Sequence, residues 1–315
     1  MQPLVTVLIP AYNAEGTIRR ALDSALAQDY PNFEIVVVDD GSLDATSDVV
    51  AGYQRPEIRL VQLPKHLGEC GAMNEGIAIA AGKYIAFLDA DHEWLPGKLT
   101  RQVAALEGNP KAVMATCGCR FVDPNGELAE EFGMMPPGVT KDQVWRSLLV
   151  ATCIAKPFVV ARASAFAHAG VFDTAQRVAG DQEMWIRLAI TGEVEFVPEF
   201  LTVAHDTAGS LTKVYREDED IYSLRVVRRY LQQQRSHLSG DEIRHILRER
   251  YTSMGRNVYR AGRIWRGGLL LAQAIALGGH KGENLWYLLT ASPPARIVKA
   301  LLRPKTDATP SKQTL

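Results

Sequence analysis

Cysteine is scarce. The four residues, Cys70, Cys117, Cys119 and Cys153, have no framework spacing, and the Cys117-Gly118-Cys119 pair lacks a second pair that would complete a metal quartet. They read as reduced thiols in or near a core. Long apolar runs are missing too: the longest stretch towards the C-terminus, residues 269–277, is interrupted by Gln273. It falls far short of the ~20 residues that a spanning helix requires. The opening MQPLVTVLIPAYN carries no basic segment ahead of its apolar run, so it reads as a strand and not as a secretory signal. No G-x-G-x-x-G follows that strand, where Pro10-Ala11-Tyr12-Asn13 stands instead, and no G-x-x-x-x-G-K-[ST] occurs anywhere. These absences argue against a dinucleotide-binding loop and a Walker-type phosphate loop. Repeats and low-complexity segments are also lacking.

What is present is ordinary in bulk and uneven in arrangement. Hydrophobic residues make up 47 % and charged residues 23 % of 315, a soluble globular composition with enough chain for a sizeable core. The net charge of −1 conceals a basic segment: residues 225–303 carry 15 Lys and Arg against 4 Asp and Glu, or +11, which leaves −12 on the remainder. The first hundred residues alternate apolar strand patterns (5–9, 33–38, 58–63, 83–88) with helical ones. Ile18, Ala21, Leu22, Ala25 and Leu26, for example, fall on one face of a helix. Such alternation predicts a mostly parallel sheet covered on both faces. Residues 112–205 mix strands and two helices. From residue 215 onward the pattern is helical only, with breaks at Ser239-Gly240-Asp241, Gly267-Gly268 and Pro293-Pro294.

The chemistry-bearing residues stand at the carboxyl ends of the strand patterns, where ligands sit in parallel sheets. Asp89 and Asp91 close the run Tyr84-Ile85-Ala86-Phe87-Leu88. Residues i and i+2 of a strand share a side, and two carboxylates on one side repel unless a cation lies near. Hard oxygen ligands select Mg²⁺ or Mn²⁺, which complete their shells with phosphate and water. On spacing alone, a solvated acidic turn and a metal–diphosphate site both stay open. Asp39-Asp40-Gly41-Ser42 is either an Asp-Gly turn or a source of carboxylates for a ribose hydroxyl or a base N–H. In Gly180-Asp181-Gln182-Glu183-Met184-Trp185 the apolar positions 184, 185, 188 and 189 form a helix face, and Asp181 is an N-cap, a site carboxylate, or both.

Together these stretches resemble the family 2 glycosyltransferases. The matching pieces are VTVLIPAYNAEGTIRRALDSALAQ, FEIVVVDDGSLDAT, GAMNEGIAIAAGKYIAFLDADHEWLPGKL and GVFDTAQRVAGDQEMWIRLA, in the family's order, within residues 5–212. The resemblance implies a GT-A fold: an α/β, Rossmann-like, mostly parallel sheet flanked by helices, here with a C-terminal helical extension. It implies that Pro10, Ala11 and Tyr12 contact a nucleotide, with Asp39 and Asp40 on uracil and ribose and Asn74 beside them. Asp91 would bind a divalent ion, Mg²⁺ or Mn²⁺, and Asp89 the ribose or the metal shell. Asp181 would be the general base. His205, followed by Gly209-Ser210-Leu211-Thr212, matches a loop that closes over the diphosphate and is counted with the metal ligands. Trp94 and Gly180 fall on the acceptor side, Trp94 either lining the acceptor site or packing beneath it. The implied reaction is inverting transfer from a nucleoside-diphosphate sugar, UDP-linked by expectation, to a glycan or lipid-linked acceptor in surface or extracellular polysaccharide synthesis. Three positions depart from the family pattern: Met73 where Arg is frequent, His92 where a third acid is common, and Gly180 in place of Glu.

The expected domains are a catalytic domain over residues 1–214, a basic helical region over 215–303 and a disordered tail over 304–315. Arg256, Arg260, Arg263 and Arg266 fall at spacings of one helical side, near Ile264, Trp265, Leu269 and Leu270. They suit either an anionic membrane surface or a solvated face of a packed appendage. Nucleic acid is not an expected partner, because no recognition module accompanies the charge. The expected location is cytoplasmic, with a peripheral seat at the inner face of the cell membrane if the helices bind lipid. Two other classes remain: a catalytically silent sugar-nucleotide-binding scaffold, and a nucleotidyltransferase, which would want a Gly-rich basic loop where PAYNAEGT stands.

Overall fold

The computed structural model describes residues 2–123, 125–133, 135, 138–151, 154–205 and 216–279. Strand β1 (Val5–Ala11) is buried along its whole length and runs parallel to β2 (Phe33–Asp39) and β4 (Tyr84–Phe87), with β3 (Ile58–Gln62) parallel beyond β2. A strand covered on both faces needs apolar residues at successive positions, which VTVLIPA and the VVV of β2 supply. Parallel neighbours also need crossovers, and here they are α1 (Ile18–Leu26), α2 (Thr46–Ala51) and α3 (Glu69–Ile79). Helix α1 buries Ile18, Ala21, Leu22 and Ala25, the face expected from their spacing. Helix α3 lies so close to β1 that a Cβ on Gly76 would come within 2.1 Å of Leu8 Cδ1.

The chain continues through β5 (His92–Trp94), α4 (Lys98–Gly108), β6 (Ala112–Val122), β7 (Leu128–Phe132), α5 (Val144–Val150), β8 (Val160–Arg162), α6 (Ala163–Ala169), α7 (Gly180–Thr191) and β9 (Glu193–His205). The sheet order is β3-β2-β1-β4-β8-β6-β9-β5, with β7 beside β6. The parallel arrangement holds across β3-β2-β1-β4 and between β6 and β9; β5, β7 and β8 pair antiparallel. Strand β7 follows its partner β6 too closely in sequence for a crossover helix. A consequence for the acidic cluster is that β4 ends at Phe87, and Asp89 and Asp91 lie in the bend before β5, not along a strand.

Two compact units divide the chain, Met1–Arg235 and Ser236–Leu315, so helix α8 (Arg216–Gln233) belongs with the first, whereas the expected division fell at residue 214. Glu183 explains the attachment. Its buried carboxylate accepts from Arg187 (2.5 Å) on its own helix and from Arg229 (2.7 Å) and Tyr230 (2.6 Å) on α8, while Ser223 donates to Gln182 at 2.7 Å. The second unit contains α9 (Gly240–Arg260), opened by a Ser239–Glu242 capping box, and α10 (Ile264–Ala276). Two expectations are corrected there. Gly267-Gly268 does not break a helix: it lies inside α10, and a Cβ on Gly267 would meet Gly255 O at 2.8 Å, so the glycine permits close helix–helix approach. The break falls instead at Gly262, whose φ of +87° only glycine adopts readily. Arg256 and Arg260 are therefore on α9 and Arg266 on α10, and the four arginines share no single helical side. Residues 304–315 and Pro293-Pro294 lie outside the described residues.

Glu183→Ala leaves the Tyr230 hydroxyl and two guanidinium groups without their shared acceptor. We expect a loss of about 3 kcal/mol in unfolding free energy, measured by urea titration. Wild-type stability in this variant would show that α8 is held by other contacts.

Candidate active site

The nucleotide-side residues gather where β1 and β2 end. Asp40 N donates to Ala11 O at 2.8 Å, which brings the Asp39-Asp40 pair against the Pro10-Ala11-Tyr12 segment. Asp40 is 2 % exposed, and its Oδ1 accepts the Leu67 N–H at 2.6 Å. His66 Nδ1 lies 2.8 Å from Oδ2, an ion-pair distance off the hydrogen-bonding direction, so Oδ2 is buried with no hydrogen-bond donor of its own. Burial raises the Asp40 carboxyl above its ordinary value, opposed by the Leu67 amide and His66. Tyr12, 44 % exposed, packs its ring against that of His66, centroids 4.2 Å apart.

Two residues expected at the nucleotide are committed elsewhere. Asp39 accepts from the Ser42 amide at 3.0 Å and from the Ser47 hydroxyl, so its carboxylate closes the Asp-Gly turn and fastens α2. Asn74 donates to Phe172 O at 2.9 Å and accepts the Phe172 amide at 2.8 Å, so it pins α3 to the segment leading into α7.

The acidic side is denser. In the bend after β4, His92 N donates to Asp89 O at 3.1 Å, His92 Nδ1 lies 2.7 Å from Asp91 Oδ1, and Arg20 reaches the Asp91 carbonyl at 2.7 Å. Ligand atoms of Asp89, Asp91 and His92 all lie within 4.8 Å of one another, the only such group among the described residues. Burial disfavours a charged His92, yet the Asp91 hydrogen bond and the fields of Asp89 and Asp91 raise its pKa. His205, expected with the metal ligands, is not in this group. Its Nε2 pairs with Glu93 at 2.8 Å, because β9 sets His205 beside β5.

Lys156, missed in the sequence, completes the cluster. It is 4 % exposed, and its ammonium bridges Asp89 Oδ1 (2.5 Å) and Glu69 of α3. Burial alone would push its pKa down, but the two carboxylates outweigh burial and hold it charged. One signal was available: Lys156 is a lone charge in the apolar run Ile154-Ala155-Lys156-Pro157-Phe158-Val159-Val160, and a buried charge needs a partner. Glu69 and His66 carried no comparable signal.

Asp181 stands in the first turn of α7, after Ala179 at φ +59°, and is not the helix cap. Its carboxyl is pushed up to about 6, by burial first and then by the charge of Glu69, with Lys156 acting against the rise and Asp89 adding to it. It therefore shares one electrostatic neighbourhood with the Asp89 cluster. The two acceptor-side candidates move into the interior. Trp94 is buried, donating its indole N–H to Pro157 O at 3.1 Å with the Lys98 amine 4.3 Å above its ring. Gly180 is buried against α3, where a Cβ would stand 2.5 Å from Cys70 Sγ. Cys70, Cys117 and Cys119 are free and buried. Burial pushes the Cys70 thiol up to about 12, so it is an inert packing group.

This arrangement can be set beside known proteins. The family model described as Glycosyl transferase family 2 matches residues 6–165, half of the chain. The chain belongs to glycosyl transferase family 2. An uncharacterized glycosyltransferase of Rickettsia typhi, RT0329, is 30 % identical over 227 residues, 69 % of each chain. The Escherichia coli protein named UDP-Glc:alpha-D-GlcNAc-diphosphoundecaprenol beta-1,3-glucosyltransferase WfaP is 39 % identical over 104 residues, 33 % of this chain and 41 % of that one. Among solved structures, the mannosyltransferase PcManGT from Pyrobaculum calidifontis, in complex with GDP-Man and Mn²⁺, superposes with a TM-score of 0.60 at 19 % identity, covering 96 % of this chain and 84 % of that one. That likeness shows the GT-A fold. The chain is thus a glycosyltransferase with relatives in polysaccharide biosynthesis.

The family-2 Glu that Gly180 replaces has no room here beside Cys70. Gly180→Ala should cost about 1–3 kcal/mol, and Cys70→Ala in the same chain should recover most of it. Additive losses in that double-mutant cycle, read from thermal or urea unfolding, would show that the two positions do not interact.

Proposed function

We propose that this glycosyltransferase is metal-dependent and inverting, and moves a sugar from a nucleoside-diphosphate sugar, UDP-linked, to a hydroxyl of a glycan or lipid-linked acceptor. The observation that carries the reading is that Asp89, Asp91 and His92 bring ligand atoms within 4.8 Å of one another, while Asp181, whose carboxyl burial pushes up to about 6, lies in the field of the same Asp89. A base and a cation site in one neighbourhood are what glycosyl transfer to a hydroxyl from a diphosphate donor needs.

On the nucleotide side, Asp40 with its partner His66 is the candidate for a base N–H, and Tyr12 with His66 supplies a ring face. The donor set of Asp89, Asp91 and His92 fits a divalent ion, and its imidazole favours Mn²⁺ over Mg²⁺. These three residues would hold the ion, which when bound offsets charge on the departing diphosphate. Asp181 accepts the proton of the acceptor hydroxyl as that oxygen attacks the anomeric carbon opposite the diphosphate, and the configuration inverts. The name of WfaP, with its UDP-Glc donor and diphosphate-linked lipid acceptor, and the Mn²⁺ of the PcManGT complex support the donor, acceptor and metal readings.

Acting as base, Asp181 must be ionised, so turnover should climb tenfold per pH unit below about 6 and level off above it. Asp181→Asn should lose about a hundredfold or more in kcat while UDP binding persists. NMR of the product from an α-linked donor should show a β linkage, and a retained α anomer would refute inversion. Wild type inert towards every nucleotide sugar would instead favour the silent nucleotide-sugar-binding alternative.

We place the enzyme on the cytoplasmic side, at the membrane surface through its second unit. Among the described residues no helix is long and apolar enough to cross a membrane. Helix α10, however, exposes Trp265 (90 %) and Leu269 (63 %) one turn apart, with Arg266 beside them. That combination suits an interfacial helix on anionic lipid. The full chain should float with phosphatidylglycerol vesicles at low salt, and Trp265→Ser/Leu269→Ser should not. Equal flotation of both would remove the lipid reading.

A further inference from the structure

We propose that Lys156 is a resident counter-cation whose grip on Asp89 makes divalent-ion binding depend on the nucleoside diphosphate. The inference rests on the metal reading given above and concerns a residue that reading does not use.

The argument begins with how the ammonium is aimed. Lys156 opens a single helical turn, Lys156–Phe158, whose carbonyls are heavily bonded. Pro157 O accepts from Trp94 Nε1 (3.1 Å) and Thr202 Oγ1 (3.2 Å), and Phe158 O accepts from Gln102 Nε2 at 2.7 Å. Backbone tied to β5, β9 and α4 in this way leaves the buried side chain little freedom. Its Nζ sits between Asp89 Oδ1 at 2.5 Å and Glu69 Oε1.

Asp89 is thus balanced before any ion arrives, and Asp91 is engaged by His92 at 2.7 Å. An incoming divalent ion meets carboxylates already sharing their charge, and it meets Lys156 as a fixed like charge one carboxylate away. The ammonium is buried while Asp89, Asp91 and His92 are partly exposed, so water screens this repulsion only in part. Two phosphates supply the missing negative charge and further oxygen ligands, so the ion binds well only with the diphosphate. The same bridge keeps Asp89 and Glu69 from repelling each other in the free enzyme, which holds α3 and the β4–β5 bend in place without metal.

The experiment is a Mn²⁺ titration followed by electron paramagnetic resonance, with and without UDP, on wild type, Lys156→Arg, Lys156→Gln and Glu69→Gln/Lys156→Gln. The double variant keeps the net charge and removes the buried pair together, so it guards against a Lys156→Gln chain that fails to fold. Wild type and Lys156→Arg should bind Mn²⁺ weakly alone and far more tightly with UDP. The double variant, and Lys156→Gln where it folds, should bind Mn²⁺ alone at least about tenfold more tightly, which narrows the gap. Unchanged or weaker Mn²⁺ affinity in the double variant, with wild type still binding Mn²⁺ in the presence of UDP, overturns the role of Lys156 and leaves the metal reading standing. Wild type that takes up no Mn²⁺ even with UDP overturns both.

Discussion

Carboxylates that converge beyond the carboxyl end of β4 repel one another, and several segments of the molecule are arranged around that repulsion. Asp89, Asp91, Glu69 and Asp181 come from the β4–β5 bend, α3 and α7, and their charges oppose one another unless something intervenes. The buried Lys156 ammonium lies between Asp89 and Glu69, and His92 sits on Asp91. The position of Lys156 depends in turn on carbonyls held by Trp94, Thr202 and Gln102, so elements distant in sequence contribute to one charge balance. Trp94, Thr202 and Gln102 fix the segment that carries the ammonium.

Helix α7 joins stability to chemistry within a single turn. Asp181 faces the acidic cluster, Gln182 and Glu183 hold α8, and Met184, Trp185, Leu188 and Ala189 fill the core. A side chain one residue from the proposed base is thus a structural anchor. The pKa of Asp181 reflects the same economy, because the burial that raises it comes from the packing that places it.

The departures from the family pattern acquire physical content in the structure. Gly180 stands where a larger residue is usual because Cys70 Sγ occupies the space, so the two positions read as a matched pair. His92 stands where a third acid is common and lies against Asp91, replacing one more negative charge with a group that can share or ligate. Met73, the third departure, is fully buried in α3.

The sequence alone determined the architecture of the first ninety residues and the identity of the acidic motifs. Continuous apolar strands joined by one-faced helices have few alternatives to a parallel sheet, and such a sheet places its strand ends together. It did not determine which carboxylates stay available. Asp39 and Asp40 are adjacent and chemically identical, yet Asp39 is tied to Ser42 and Ser47 while Asp40 faces the Leu67 amide and His66. Asn74 and His205 have partners 98 and 112 residues away. Gly267-Gly268 carries the composition of a break but serves as a contact, because its meaning depends on the helix opposite. The pairing of Lys156 with Asp89 and Glu69 was likewise decided by tertiary structure. A lone lysine in an apolar run announces that a partner must exist, and only the folding of three separate segments together names it.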